Sequence, residues 1–113
     1  MNAHKSPEPG RLATAELRSR RALLVAGLPQ AGAFLVGSLL EQRRKCGKEG
    51  CRCTRGELHG PYVYLSVAGR MAYVPAVLAD AVRSRLEVSR RMREALEEIS
   101  AINLELLARR ELE

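Results

Sequence analysis

The chain has 113 residues and a formal net charge of +6, with no Trp, one Phe and three Tyr. A chain of this length is expected to form one domain with a modest core, which a metal, a disulfide or a partner subunit often supplements. Its three cysteines cannot all pair with one another. This argues against a secreted disulfide framework and favours a reduced, cytoplasmic compartment.

The N-terminal residues divide into a tail and a helix. Residues 1–10 contain two prolines and a glycine, and we predict that they form a disordered tail. The segment from Arg11 to about Gly27 is rich in Ala, Leu and Arg, which predicts a helix that is closed by Gly27 and Pro29. We expect a single domain over residues 11–113.

An uncharged run over residues 22–40 is nearly long enough to span a bilayer. Pro29, Gln30 and three glycines interrupt it, and basic residues flank both ends. A signal peptide is the other alternative, but the apolar segment before Pro29 has only about seven residues, which is the short limit for such a peptide. We therefore expect no membrane insertion and no export.

Three strands are predicted in the middle of the chain. "SLLEQRRKC" (38–46) could be a strand or a short helix, and a strand is favoured because Gly37 precedes it and a cysteine-rich loop follows it. "PYVYLSV" (61–67) alternates in the manner of a half-buried strand, and "RMAYV" (70–74) returns after the dipeptide "AG" as the second arm of a hairpin. Together they predict a small antiparallel sheet.

One long helix is predicted at about 76–110, where the chain has no Gly and no Pro. Apolar residues there follow alternating steps of three and four, as in a coiled coil, with Asn103 as a residue that fixes register. Arg85 and Ser89 interrupt this seam. Its partner is either the first helix, folded back antiparallel, or a second copy of the chain. The seam consists of Leu78, Val82, Met92, Leu96, Ile99, Asn103 and Leu106.

The charge of the long helix changes sign along its length. Residues 81–93 contain five arginines against one acid, and residues 94–113 contain six acids against two arginines. In one interpretation, the acidic half neutralises the first helix. In the other, the basic half extends a basic surface near the cysteine loop. The arginines of the first helix are Arg11, Arg18, Arg20 and Arg21, and those of the basic half are Arg83, Arg85, Arg90, Arg91 and Arg93.

All three cysteines lie in one loop with the spacing Cys46-x4-Cys51-x-Cys53-x5-His59. Three thiolates and one imidazole can form a closed tetrahedral zinc site, and the loop glycines allow the tight turn that such a site requires. We predict a structural zinc site with these four ligands. The alternatives are a regulatory disulfide, inert thiols, or a His59 that only holds the following turn by hydrogen bonds.

Basic and aromatic residues surround the cysteines, since residues 37–60 carry six Lys or Arg against three acids. Such cations neutralise phosphates, and two tyrosines on one face of a strand can stack on bases. A role for these tyrosines in packing against the helices is the alternative. The predicted nucleic-acid-binding residues are Arg43, Arg44, Lys45, Lys48, Arg52, Arg55, Tyr62 and Tyr64.

The segment "GSLLEQRRKCGKEGCRCTRGELHGPYVYLSVAGRMAYVP", followed by "EEISAINLELL", resembles a family of small uncharacterised bacterial and archaeal proteins. Their pattern is G-S-…-K-C-G-K-x-x-C-x-C-…-G-x-x-H-G-P-Y, with a hairpin and a long helix after it. The resemblance covers about residues 37–107; Gln42 and Arg43 stand near where an aromatic residue is expected. It implies no established activity, but it implies an association with mobile genetic elements and so favours DNA binding.

The sequence thus predicts an α+β protein: an N-terminal helix, a three-stranded antiparallel sheet with a zinc-knuckle-like loop, and a long coiled-coil-type helix. The expected function is zinc-stabilised binding of nucleic acid, DNA rather than RNA, as an accessory or regulatory factor. The alternative is an adaptor that forms a homodimer or docks another protein on its long helix. An enzyme is disfavoured, because no paired carboxylates or phosphate-binding glycine motif accompany His59. No catalytic or organic-cofactor residues are predicted.

Overall fold

The computed structural model describes residues 8–45 and 47–113, except for the side chains of Cys53 and Thr54. The described residues form an N-terminal helix, a three-stranded antiparallel sheet and a long C-terminal helix, which confirms the predicted α+β class. None of the described helices is both long enough and apolar enough to cross a membrane. The elements are α1 (Thr14–Ala26), β1 (Ser38–Arg44), β2 (His59–Val67), β3 (Arg70–Val74) and α2 (Ala79–Ala108).

The helices begin later than the sequence predicted. Pro9–Arg11 form a 3-10 turn, and α1 starts at Thr14, where the Ala13 N–H donates a hydrogen bond of 3.0 Å to the Glu16 carboxylate. A second 3-10 turn over Ala76–Leu78 precedes α2. Of the predicted tail, residues 1–7 lie outside the described residues.

The chain divides into two compact units. One unit combines the residues up to Gly32 with Arg90–Glu113, and the other is Ala33–Ser89. Because α2 runs from Ala79 to Ala108, it contributes residues to both units. The single domain over residues 11–113 stays a prediction.

The sheet in the unit Ala33–Ser89 has the order β1-β2-β3. Its apolar face packs on the first turns of α2, where Leu65, Val74 and Ala79 are buried together. Partly buried neighbours complete this cluster, because residues two apart on a strand share a face. These neighbours are Leu35, Leu39, Val63, Val67, Val82 and Leu86.

Ser89 is a buried polar residue of this unit, with 1% of its surface exposed. Its hydroxyl accepts a hydrogen bond of 2.6 Å from the Leu35 N–H and donates one of 3.0 Å to the Arg85 carbonyl oxygen. Both hydrogen-bonding roles of the hydroxyl are used, so its burial leaves no unsatisfied group. Ser89 therefore connects the segment before β1 to α2 through a hydrogen bond.

The other unit is a helical hairpin in which α1 lies antiparallel to the last turns of α2. Leu17, Ile102 and Leu106 are fully buried there, and Leu12 and Leu24 pack against them. The predicted partners of the long helix were the first helix and a second copy of the chain. The last turns of α2 contact the first helix.

Ion pairs between the two helices confirm the first interpretation of the charge pattern for three arginines. Arg20 pairs with Glu98 at 2.7 Å, while Arg18 and Arg21 both pair with Glu113. The hydrogen bond from Arg21 lowers the pKa of Glu113 to about 2. These pairs are partly exposed, so they orient the helices more than they stabilise them.

Two positions of the predicted seam of the long helix are not buried within the chain. Leu78 and Leu96 are about half exposed, with 51% and 49% of their surfaces accessible, whereas Ala79 and Ile102 are buried. The side-chain oxygen of Asn103, the predicted register residue, accepts a hydrogen bond of 2.7 Å from Arg21 of α1.

Replacing Ser89 by Ala is expected to lower the free energy of unfolding by about 0.5–1.5 kcal/mol, because the partly buried Leu35 N–H loses its acceptor. Urea-induced unfolding followed by circular dichroism measures the change. Ser84→Ala is the matched control, since Ser84 is exposed on the same helix. Equal stability of the two variants would contradict the role given to Ser89.

Candidate nucleic-acid interface

The three tyrosines of the chain lie on one face of the sheet, which we call the tyrosine face. Tyr62 and Tyr64 alternate with Val63 and Leu65 along β2, so they project away from the apolar cluster. Tyr73 pairs with Tyr64 across β3, and their ring centroids are 5.8 Å apart with the planes inclined at 66°. Neither apolar cluster among the described residues includes a tyrosine, which argues against the packing alternative.

Arg44 lies over two rings of this face. Its guanidinium carbon is 5.8 Å from the Tyr62 ring centroid and 5.2 Å from that of Tyr64, within the range of cation–π attraction. Its Nη2 donates hydrogen bonds to the Tyr64 hydroxyl and to the Gln42 side-chain oxygen. A guanidinium has five N–H donors in a planar fork. Both hydrogen bonds come from Nη2, so they orient the guanidinium of Arg44. The N–H groups of its other two nitrogens can donate to an external acceptor.

A register shift brings His59 to the same face. β1 and β2 pair Gln42 with Tyr62 but Arg44 with His59, so β2 has one extra residue between these pairs. Without this bulge, alternation would place His59 on the face of Val63. The shift lies at Gly60, which has a φ of 114° and whose Cβ would stand 2.8 Å from the Gln42 carbonyl oxygen. Only glycine fits that approach.

A cavity of about 230 Å³ opens where these side chains meet. It combines two cations, an imidazole and two phenol rings, and none of the described residues that line it is acidic. The lining residues are Arg44, Lys45, His59, Tyr62 and Tyr64. The structure thus brings four of the eight predicted nucleic-acid-binding residues together with one of the predicted zinc ligands.

The other predicted cations are exposed around the cysteine loop. Arg43 donates a hydrogen bond of 3.5 Å to the Gly60 carbonyl oxygen, while Lys48, Arg52 and Arg55 lie in the loop itself. The loop turns tightly at Gly50 and Gly56, with φ of 78° and 97°. These values suit glycine, as the sequence predicted.

Two of the four predicted zinc ligands meet at the edge of the cavity. The Cys51 sulfur lies 3.1 Å from the His59 Nε2. A tetrahedral zinc with sulfur at about 2.3 Å and nitrogen at about 2.0 Å would hold such a pair about 3.5 Å apart. Cys46 lies outside the described residues, as does the side chain of Cys53. Among the side chains that the structure does describe, no three His, Cys, Asp or Glu residues cluster. The observed 3.1 Å is a thiol–imidazole hydrogen-bond distance, and the zinc site stays a prediction.

Tyr73 belongs to this surface but was not among the predicted residues. The signal for it was present in the sequence, because Tyr64 and Tyr73 are equally distant from the turn at Ala68 and Gly69. A two-residue hairpin turn pairs such positions across the strands. Counting outward from "AG" would therefore have placed all three tyrosines on one face.

Comparison with known proteins places the chain in a family. The family described as "Domain of unknown function (DUF6788)" matches residues 14–84, which include α1, the whole sheet and the start of α2. No curated protein and no solved structure matches the chain. The predicted link to mobile genetic elements stays a prediction. Because the match covers more than half of its length, this protein belongs to the DUF6788 family, a family of unknown function.

Proposed function

We propose that this protein is a zinc-stabilised nucleic-acid-binding module that binds DNA in preference to RNA and acts as an accessory or regulatory factor. The observation that carries the proposal is the cavity in which Arg44 and Lys45 meet Tyr62 and Tyr64. Cations supply attraction for phosphates, and phenol rings supply planes on which bases stack.

The charge around the cavity supports a polyanionic ligand. The six cations of Arg43–Arg55 are all exposed, and they outnumber the three acids of residues 37–60. Phosphate neutralisation by such residues releases counterions, which makes binding tight at low salt and weak at high salt. A surface that binds protein would show a weaker dependence on salt.

Zinc would serve this surface by stiffening the loop that carries most of the cations. Of the four proposed ligands, the structure describes the side chains of Cys51 and His59, and Cys46 and Cys53 would supply the other two. Three thiolates and one imidazole would fill all four coordination positions of the zinc and leave none for a substrate, so the metal would be structural. Since His59 also lines the cavity, the proposed metal would hold the loop against the start of β2.

Purified protein is expected to contain about one zinc per chain, because four ligands of one loop complete a tetrahedral site. Elemental analysis after gel filtration measures the metal, and a thermal melt with and without a chelator measures its effect on stability. Cys51→Ser and His59→Ala should lower the zinc content and remove the chelator effect.

His4→Ala is the matched control, because His4 is the chain's other histidine. Metal-free protein with three titratable thiols would contradict the zinc site and favour inert cysteines. Metal-free protein with a disulfide would favour the redox alternative.

Affinity for a fluorescein-labelled mixed-sequence DNA is expected to fall steeply as salt rises. Arg44→Ala should weaken binding at moderate salt and reduce the slope of log K against log salt by about 0.7–0.9, because one phosphate contact is lost. Fluorescence anisotropy across a salt series measures both quantities.

Arg70→Ala is the charge-matched control. Arg70 is exposed on β3 and pairs with Val67, so it lies on the sheet face opposite the tyrosines. Equal losses in the two variants would show that net charge, not the cavity, determines binding. Absence of binding at low salt would overturn the proposed function.

The second candidate function is an adaptor that self-associates, and exposed leucines on α2 favour it. Leu96, Leu104 and Leu107 are about half exposed or more and lie on one side of the helix. A second copy of the chain could bury them in a symmetric contact, since like apolar stripes are self-complementary. The zinc site would then be purely structural.

If the adaptor function holds, the protein dimerises at micromolar concentration and Leu104→Glu makes it monomeric. Sedimentation velocity over a concentration series measures the association. Val77→Glu is the control, because Val77 is more exposed than any of these leucines and lies before α2. A monomer at every concentration would remove this candidate.

A further inference from the structure

The tyrosine face extends beyond the cavity, across all three strands. Leu40 of β1, Tyr64 of β2 and Tyr73 of β3 form one cross-strand row. Tyr73 is 57% exposed, and Leu40 and, in the next row, Met71 are exposed as well. Neighbouring strands are about 4.8 Å apart, so the row covers about 10 Å of surface.

We propose that this face is a stacking platform for single-stranded polynucleotide, with Tyr73 as a base-stacking residue. The inference rests on the proposed function and specifies the form of nucleic acid that the surface binds. Tyr73 lies outside the cavity and outside the set of residues that the sequence singled out.

The inclination of the rings favours a single strand. The planes of Tyr64 and Tyr73 are 66° apart, so bases stacked on both rings could not remain parallel to each other. The bases of a duplex are parallel, and their faces are covered by their neighbours. A single strand can turn its bases separately and expose their faces to aromatic side chains.

The distribution of apolar and charged groups agrees with this form of ligand. The exterior of a duplex is lined with phosphates, which gain nothing from Leu40, Met71 or a phenol ring. Base faces are the apolar part of a polynucleotide, and a single strand presents them. The cations Arg44 and Lys45 lie at one end of the platform, where they can hold the sugar-phosphate backbone.

The test compares four labelled ligands of equal length by fluorescence anisotropy with the full-length protein. They are a mixed-sequence DNA single strand, its duplex, the RNA of the same sequence, and an abasic DNA strand. We expect the DNA or RNA single strand to bind about 10-fold or more tightly than the duplex, because stacking on one aromatic residue alone accounts for roughly 5-fold to 150-fold in affinity. The abasic strand, which keeps the phosphates, should bind like the duplex or more weakly.

Tyr73→Ala should weaken binding of the single strand about 10-fold and leave both the abasic strand and the salt slope unchanged. Tyr73→Phe keeps the ring and should keep the affinity. The melting temperatures of the variants verify that each is folded, and Tyr73→Leu replaces Tyr73→Ala if the alanine variant unfolds.

The outcomes distinguish failure of the platform from failure of the proposed function. Equal or tighter binding of the duplex, or unchanged binding by Tyr73→Ala, overturns the platform and leaves the proposed function in place. Absence of binding to all four ligands overturns both. Tighter binding of RNA than of DNA supports the platform and reverses the proposed preference for DNA.

Discussion

The packing of one face of β2 against α2 determines what the rest of this protein presents to solvent. Leu65 is buried with Val74 and Ala79 in that contact, and Val63 and Val67 pack beside it. Strand alternation then leaves the opposite face to the tyrosines. A slip of one residue would bury the phenol rings and expose the valines, so burial of the core also specifies the candidate surface.

The alternation is broken at one place, and that break connects the surface to the cysteine loop. The extra residue of β2 turns His59 toward Arg44 and Tyr62, while the His59 ring reaches the Cys51 sulfur. One side chain therefore lines the cavity and contacts the loop. A change at the cysteines would act on the cavity through His59, whether or not a metal is bound there.

The sequence predicted most of the fold because its patterns were local. Strand alternation, the "AG" turn and the absence of Gly and Pro after Pro75 each predicted one element, and alternation alone placed Tyr62 and Tyr64 on a common face. The bulge was not predictable by counting, since alternation assigns His59 to the wrong side. The inward side of α2 was misjudged because leucines and isoleucines occur on several sides of its second half, and only contact with α1 selects Ile102 over Leu96. The burial of Ser89 depends on a hydrogen bond to Leu35, 54 residues away in sequence.

The placement of the tyrosines has an optical consequence. The chain has no Trp and one Phe, so nearly all of its intrinsic ultraviolet fluorescence comes from three phenol rings. All three lie on one face of one sheet, within reach of any ligand that stacks there. A ligand that stacks on that face would change the emission of these rings. The composition that makes the core poor in aromatic residues therefore gives this surface a built-in reporter without any label.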